Sequence, residues 1–259
     1  MRKVFLFLPF FVCLICVFIP IDDNLISLAQ SKLSPSLTHW FGTDLLGRDL
    51  FWRIIASFKI SFVVGFGASS LSLVFALIFV VFFYFVCPAL GYRIIELFLA
   101  LPSLIFVMFV QSFFHGGVLT MIFVIALGHW AMIAKVLSDE IHKIHKQDFY
   151  QCSRMLGISK FRALWSEVLP ACLNVLVILW ILNFSHAIGN EATLSFFGLG
   201  IEPSKASLGN ILADSAKAIF VGGWWMIVFP IAALMFMILP MLFSAHHFQR
   251  KEGYWNAGN

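Results

Sequence analysis

Charge is what this 259-residue chain has least of: Asp, Glu, Lys and Arg together make 12% of it, against 61% hydrophobic residues. Soluble domains carry about 25% charged residues, so a water-solvated globule is excluded and a lipid surrounding is expected. No tract is rich enough in Ser, Gln or Pro to form a disordered domain. No phosphate loop ending in Lys-Ser or Lys-Thr occurs, which removes that route to ATP binding, and Gly65-Phe66-Gly67 lacks the third glycine of a dinucleotide fingerprint. Acidic residues are missing from the interiors of the apolar runs, where only His129 and His186 are ionisable. A proton-driven or ion-driven carrier keeps titratable partners near the midplane, so both histidines are read as hydrogen-bonded packing residues. The five cysteines, Cys13, Cys16, Cys87, Cys152 and Cys172, fall in the apolar runs or on their inner side, so no extracellular disulfide framework is available.

What is present is a series of apolar runs near 4–20, 60–86, 94–114, 118–137, 171–189 and 224–244. Each is about as long as a helix needs to cross ~30 Å of hydrocarbon, and backbone groups in lipid must pair within the helix. An all-α integral membrane protein with six transmembrane helices is expected, with both termini on one side. With the N-terminus inside, eleven of the 17 Lys and Arg lie on the inner side, so both termini and the polar stretch 138–170 are expected to be cytoplasmic. Residues 1–20 begin basic and continue apolar, as a signal peptide would, but no small-x-small cleavage site follows and an uncleaved first span is expected.

The expected organisation is a first helix plus outside segment with an interfacial helix (1–59), a five-helix core (60–248) and a cytoplasmic tail (249–259). The outside segment ends in His39-Trp40-Phe41-Gly42-Thr43-Asp44-Leu45-Leu46-Gly47-Arg48-Asp49, dominated by turn and cap residues. Asp49 to Ile55 then reads as an amphipathic helix on the outer interface. The second span carries Gly65, Gly67, Ala68, Ser69 and Ser70, a face on which helices approach closely. Pro102 is expected to kink or loosen the third span.

The polar stretch 138–170 interrupts the apolar pattern. Phe149, Cys152 and Leu156 share one face of a helix and Gln147, Gln151 and Arg154 another. Gly157 is placed to stop that helix and Ser159 to cap a second, short one whose apolar face is Phe161, Leu164, Trp165 and Val168, before Pro170 opens the next apolar run. Two small amphipathic helices hinged at a glycine are expected, lying on lipid or on a partner. With neither an ATP site nor an ion relay in the chain, energy for any transport is expected to enter through a partner. A secondary transporter and a non-transporting scaffold are the readings from other classes.

This stretch resembles the pattern that binding-protein-dependent ABC importer permeases present to their ATPase: Glu-Ala-Ala, three residues, Gly, nine residues, Ile-x-Leu-Pro. Here it stands as Gln151-Cys152-Ser153, then Arg154-Met155-Leu156, Gly157, and later Glu167-Val168-Leu169-Pro170. Gln151 replaces the family's acid. The segment from His39 to Asp49 is similar to one in the peptide and nickel branch. So is Glu191-Ala192-Thr193-Leu194-Ser195-Phe196-Phe197-Gly198-Leu199-Gly200, followed by Ser207-Leu208-Gly209-Asn210, expected as the outside segment between the fifth and sixth spans.

The resemblance implies the type I ABC importer permease fold with a cytoplasmic coupling helix, in the bacterial inner membrane. It implies a second homologous permease, two ATP-binding subunits holding ATP and Mg, and an extracytoplasmic solute-binding protein. It implies ATPase coupling at Gln151, Cys152, Ser153, Arg154, Gly157 and Pro170, and outside motifs at Gly42, Thr43, Asp44, Gly47, Arg48, Asp49, Glu191, Gly198, Gly200 and Gly209. No catalytic residue, no cofactor or metal in this chain and no nucleic-acid partner are expected. Peptide is the expected solute. Nickel is the alternative, from Ala126-Leu127-Gly128-His129-Trp130 and the Trp40 segment, while the pairs His142/His145 and His246/His247 read as solvated helix ends.

Overall fold

The computed structural model describes residues 26–114, 116–202, 205–218 and 222–256. The expected first span, 4–20, lies outside them, as do Cys13 and Cys16. After a single 3-10 turn at Leu28–Gln30 the described chain is helical: α1 (Leu50–Val86), α2 (Pro88–Leu99), α3 (Ser103–Gln111), α4 (Val118–Ile144), α5 (Asp148–Met155), α6 (Lys160–Phe196), α7 (Leu208–Ala218) and α8 (Trp225–Asn256). Helices α1, α4, α6 and α8 are each long and apolar enough to cross a membrane, and the bent pair α2–α3 passes that test together.

Several boundaries differ from the sequence expectation, each for a local reason. The interfacial helix and the second span are one 37-residue helix, α1, because Asp49 caps it through the Phe51 amide and nothing between Ile55 and Phe62 breaks a helix. The expected division at residue 59/60 therefore falls inside a continuous element. Pro102 does more than loosen the third span: α2 and α3 meet at 80° across the break. Pro102 has no N–H to give, and Ser103 restarts the helix after it. Helix α4 runs on past the apolar run to Ile144, carrying Asp139 and Glu140 beyond its oily part.

The expected short helix before Pro170 is also absent as a separate element. A π turn over Leu164–Val168 joins Lys160–Ala163 to the span, with the Leu169 amide donating to the Leu164 carbonyl. The wider turn accommodates the proline ring and its missing donor, so the helix continues where an α ladder would have clashed. It also splits the expected apolar face, burying Leu164 and Val168 and leaving Phe161 and Trp165 exposed. At its far end α6 continues to Phe196, which draws Glu191 out of the expected loop and into the helix.

Helix α1 is the element the others pack on, chiefly α4 and α6. Its small residues Ala68, Ser69, Ser72 and Ala76 are buried, and Ser72 Oγ lies 3.3 Å from the Ala126 carbonyl of α4. Ser70 accepts from Trp180 Nε1 of α6 at 3.1 Å. In lipid, where apolar burial separates nothing from water, such close contact and interhelical hydrogen bonding hold helices together. Three apolar clusters follow one another along α1: Leu50–Phe62 against α7 and α8, then Val64 and Ala68 against α4 and Leu194, then Ala76 and Val80 against Trp130, Leu137, Tyr150 and Leu164.

Candidate functional site

Functional residues gather at the two ends of the bundle. At the α5 end, the eight-residue helix Asp148–Met155 closes in a glycine stop of the expected kind: Ile158 N donates to Ser153 O and Gly157 N to Arg154 O, both at 3.2 Å. Gly157 has φ +86°, and a β-carbon there would meet nothing within 4 Å. Its glycine is required by handedness of the backbone, not by crowding. The Arg154 guanidinium reaches round the turn to the Ile158 carbonyl. Ser159 Oγ then accepts from Arg162 N at 3.3 Å, capping α6.

The expected apolar face of α5 is its free face. Phe149, Met155 and Leu156 are exposed, the last two by 86% and 83%, and Cys152 is an exposed thiol. Gln151 is exposed too, its Nε2 3.3 Å from the Lys146 carbonyl. Tyr150, which the sequence reading passed over, is the anchor. It is buried, its hydroxyl lies 3.3 Å from that of Tyr84 at the end of α1, and its ring stacks on His145 at 4.5 Å. Tyr84 Oη also lies 3.2 Å from His145 Nε2. Burial first, then the neighbouring His142 and Lys160, push the His145 pKa below the ordinary histidine value, so its neutral imidazole serves this node. The node borders a cavity of about 470 Å³ between α1, α2 and α4.

At the opposite end the 42–49 segment folds into an ion-paired lock. Asp44 is buried and accepts from Leu46 N (2.8 Å), Arg48 N (2.9 Å), Arg48 Nε (2.7 Å) and Arg53 Nη1 (2.7 Å). Asp214 of α7 faces the same two arginines at 3.3 and 3.7 Å. Thr43 Oγ1 donates to Gln30 O at 2.6 Å and accepts from Leu33 N at 2.8 Å, while its carbonyl takes Trp225 Nε1 of α8 at 3.3 Å. Gly42 and Gly47 make the turns that bring these groups together, both at positive φ. His39 lies with Nδ1 2.9 Å from Asp49 Oδ2. Arg53 is the partner missed in sequence; an arginine inside an apolar helical run needs a buried carboxylate, and Asp44 was the nearby candidate.

The third motif lies beside this lock. Glu191 is fully buried in α6 and accepts from Ser61 Oγ of α1 at 2.8 Å and Ser195 Oγ at 3.0 Å. Glu191 lies just beyond the apolar run 171–189 and five residues before the end of the helix, so it is an acid near a helix end as expected, and the serines satisfy its oxygens. Gly198 turns the chain after α6 at φ +77°. Gly209 packs so closely on α6 that a β-carbon would stand 2.1 Å from the Ala192 carbonyl, and Gly200 is equally tight on Ser195. Asn210 Nδ2 lies 3.2 Å from each of the carbonyls of Ile201, Glu202 and Lys205. Of the expected sites, the 42–49 segment thus forms one cluster and 191–209 an adjoining one, while 151–157 lies at the other end of α1. Among the described residues no group of three metal-ligating side chains occurs.

Among its described residues the chain is built of apolar helices, with a small exposed helix at one end and a braced polar turn at the other, the build of a multi-pass membrane protein. Its residues 71–253 match the profile described as binding-protein-dependent transport system inner membrane component, and the chain belongs to that family. A Brucella suis protein named as a peptide permease is 32% identical over 233 residues, covering 88% of this chain and 76% of that one. The dipeptide transport system permease protein of Bacillus subtilis is 31% identical, covering 79% of this chain and 65% of its own length. Among solved structures, an amino acid ABC transporter with histidines has TM-score 0.60 at 15% identity, over 77% of this chain and 94% of that one. The last similarity establishes the fold. The family is one of inner-membrane transport components and not of enzymes.

Proposed function

We propose that this chain is one of two homologous permeases of an ATP-driven peptide importer. Solute arrives from an extracytoplasmic binding protein, and two partner subunits hold ATP and Mg and hydrolyse it. The peptide reading rests on the relatives named for peptide and dipeptide transport. The observation that carries the coupling role is the α5 turn: a small helix pinned from behind by Tyr150 while Phe149, Cys152, Met155 and Leu156 are exposed among the described residues. We place that end and both termini in the cytoplasm, in line with the Lys and Arg distribution.

In this reading the exposed face of α5 lies in a groove of an ATPase subunit, with Gln151, Cys152 and Ser153 along the helix and Arg154 and Gly157 setting the turn. Closure of the ATP-bound pair pushes on α5, and the π turn before Pro170 passes the push into α6. The two states interconvert because the partner binds them unequally. Gly42 to Asp49 and Glu191 to Gly209 then form the braced outer surface over which the binding protein docks. The three-part division of the chain, with a first helix and outer segment, a core containing the coupling loop and an inner tail, belongs to the same proposal.

Uptake of radiolabelled dialanine and of radiolabelled nickel by a strain lacking this gene, with and without the gene restored, tests the reading. Restored dialanine uptake that stops on ATP depletion is expected. Restored nickel uptake alone would replace peptide by nickel as solute, and uptake indifferent to ATP would point to a secondary transporter.

A further inference from the structure

A second polar feature lies between the two ends, at mid-length of the bundle. Helices α2, α3, α4 and α6 line a cavity of about 410 Å³ at the break around Pro102, open on the side of Leu101, Met132 and His186. Its walls are apolar except for Ser103, His129, Asn183 and His186. His129 and His186 lie with their rings 6.2 Å apart at 23°. The Asn190 carboxamide is hydrogen-bonded to His129 Nε2. Asn183 is 6% exposed, and its Nδ2 is buried with no hydrogen-bond partner.

An unpaired carboxamide N–H in an apolar surrounding costs about 1–3 kcal/mol, a cost that a bound acceptor would remove. The first turn of α3 adds donors: Ser103 is its first residue, and the opening backbone N–H groups of a helix have no partner within it. Asn183 sits in the middle of the 28-residue segment Leu169–Phe196, about 21 Å along the helix from Leu169. At that depth a phospholipid offers only acyl carbons, which accept nothing, and its ester and phosphate groups lie near the helix ends. The occupant that matches donors in an apolar chamber is a solute carrying several carbonyl oxygens.

We propose that this cavity is a solute site within the permease, where Asn183, the two histidines and the first turn of α3 take the main-chain carbonyl oxygens of a short peptide. The assignment rests on the peptide reading above and adds to it where in this chain the solute pauses. Apolar walls from Phe98, Phe106 and Met132 tolerate many side chains, while the donors read only the repeating amide, so the site fits peptides as a class.

The test uses the complete importer in proteoliposomes with trialanine and with a tripeptide carrying a diazirine side chain. Trialanine uptake by the wild type is measured first, and its absence overturns the peptide reading and this site with it. Given uptake, irradiation during turnover is expected to crosslink the diazirine peptide within 98–106, 128–133 or 179–186. Asn183→Leu is expected to lower trialanine uptake roughly five- to tenfold, the equivalent of one lost hydrogen bond. His186→Leu, at an exposed position where folding is not at stake, is expected to lower it several-fold. Peptide crosslinks confined to other segments overturn the site, as does unchanged uptake in both variants. Labelling of these residues by a diazirine phospholipid and not by the peptide makes the cavity a lipid pocket and overturns it as well.

Discussion

Replacing Gly157 separates two accounts of the coupling turn, because the structure assigns its requirement to backbone handedness alone. The residue sits at φ +86° with open space where a β-carbon would stand. An L-residue in the left-handed region costs about 1–2 kcal/mol, β-branched residues more, and Asn, several-fold enriched there, less. About 1.4 kcal/mol changes an equilibrium tenfold, so Gly157→Ala is expected to lower the population of the α5 turn about 5- to 30-fold. Gly157→Val should lower it further, and Gly157→Asn least. The assay is the ratio of peptide uptake to ATP hydrolysis in proteoliposomes containing the partner subunits, with yield and thermal stability of the permease measured alongside. Uptake per ATP should rank Gly, Asn, Ala, Val while the bundle stays folded. A ranking by side-chain volume, with Asn below Ala, would refute the handedness argument and put a tightly fitting partner surface against Gly157 instead.

Four further outcomes follow from the geometry. Asp44→Ala removes the buried carboxylate that Arg48 and Arg53 share at 2.7 Å, so unfolding in detergent should lose about 3–5 kcal/mol, and removing the half-exposed Asp214 by Asp214→Ala should cost much less. Tyr150→Phe removes one hydroxyl contact and should cost about 1 kcal/mol, read as faster hydrogen exchange over 148–158, whereas Tyr150→Ala should free α5 altogether. His145 titrates lower folded than unfolded, so the folded chain binds fewer protons below the ordinary value of 6.5 and stability falls as pH drops through that value toward the lowered one; exchange at 148–158 should rise over that interval, and less so in His145→Asn. Gly209→Ala forces a methyl to 2.1 Å from the Ala192 carbonyl, and membrane yield should drop with a loss of about 1–3 kcal/mol.

Much of this was legible in the sequence wherever a local rule decides the structure. Gly157 and Ser159 mark the stop and restart of helices by their own chemistry, and both do so here. Pro102 marked the break, though not its 80° angle, which depends on how α3 packs against α4. Pro170 misled for a related reason: a proline forbids an α turn but not a π turn, and nothing local signals which will form. Tyr150 was passed over, and Glu191, though named from the motif, gave no sign of its burial, because the partners of both lie far along the chain. Tyr84 precedes Tyr150 by 66 positions and Ser61 precedes Glu191 by 130, and one sequence carries no trace of such pairings. Arg53 lay within reach, since its aspartate is only nine residues away.

The unbroken length of α1 has a consequence for how the two ends communicate. At 1.5 Å per residue its 37 residues extend about 55 Å, well beyond the ~30 Å of hydrocarbon. Asp49 and Arg53 fasten its first turns to the Asp44 lock, and Tyr84 fastens its last turn to Tyr150 of α5. It has no proline and no π turn in which a displacement could be absorbed. A tilt imposed at Tyr150 therefore arrives at Asp44 as a tilt, and the contacts of Arg48 and Arg53 with Asp214, at 3.3 and 3.7 Å the longest of that group and on a separate helix, form the joint at which it would be released.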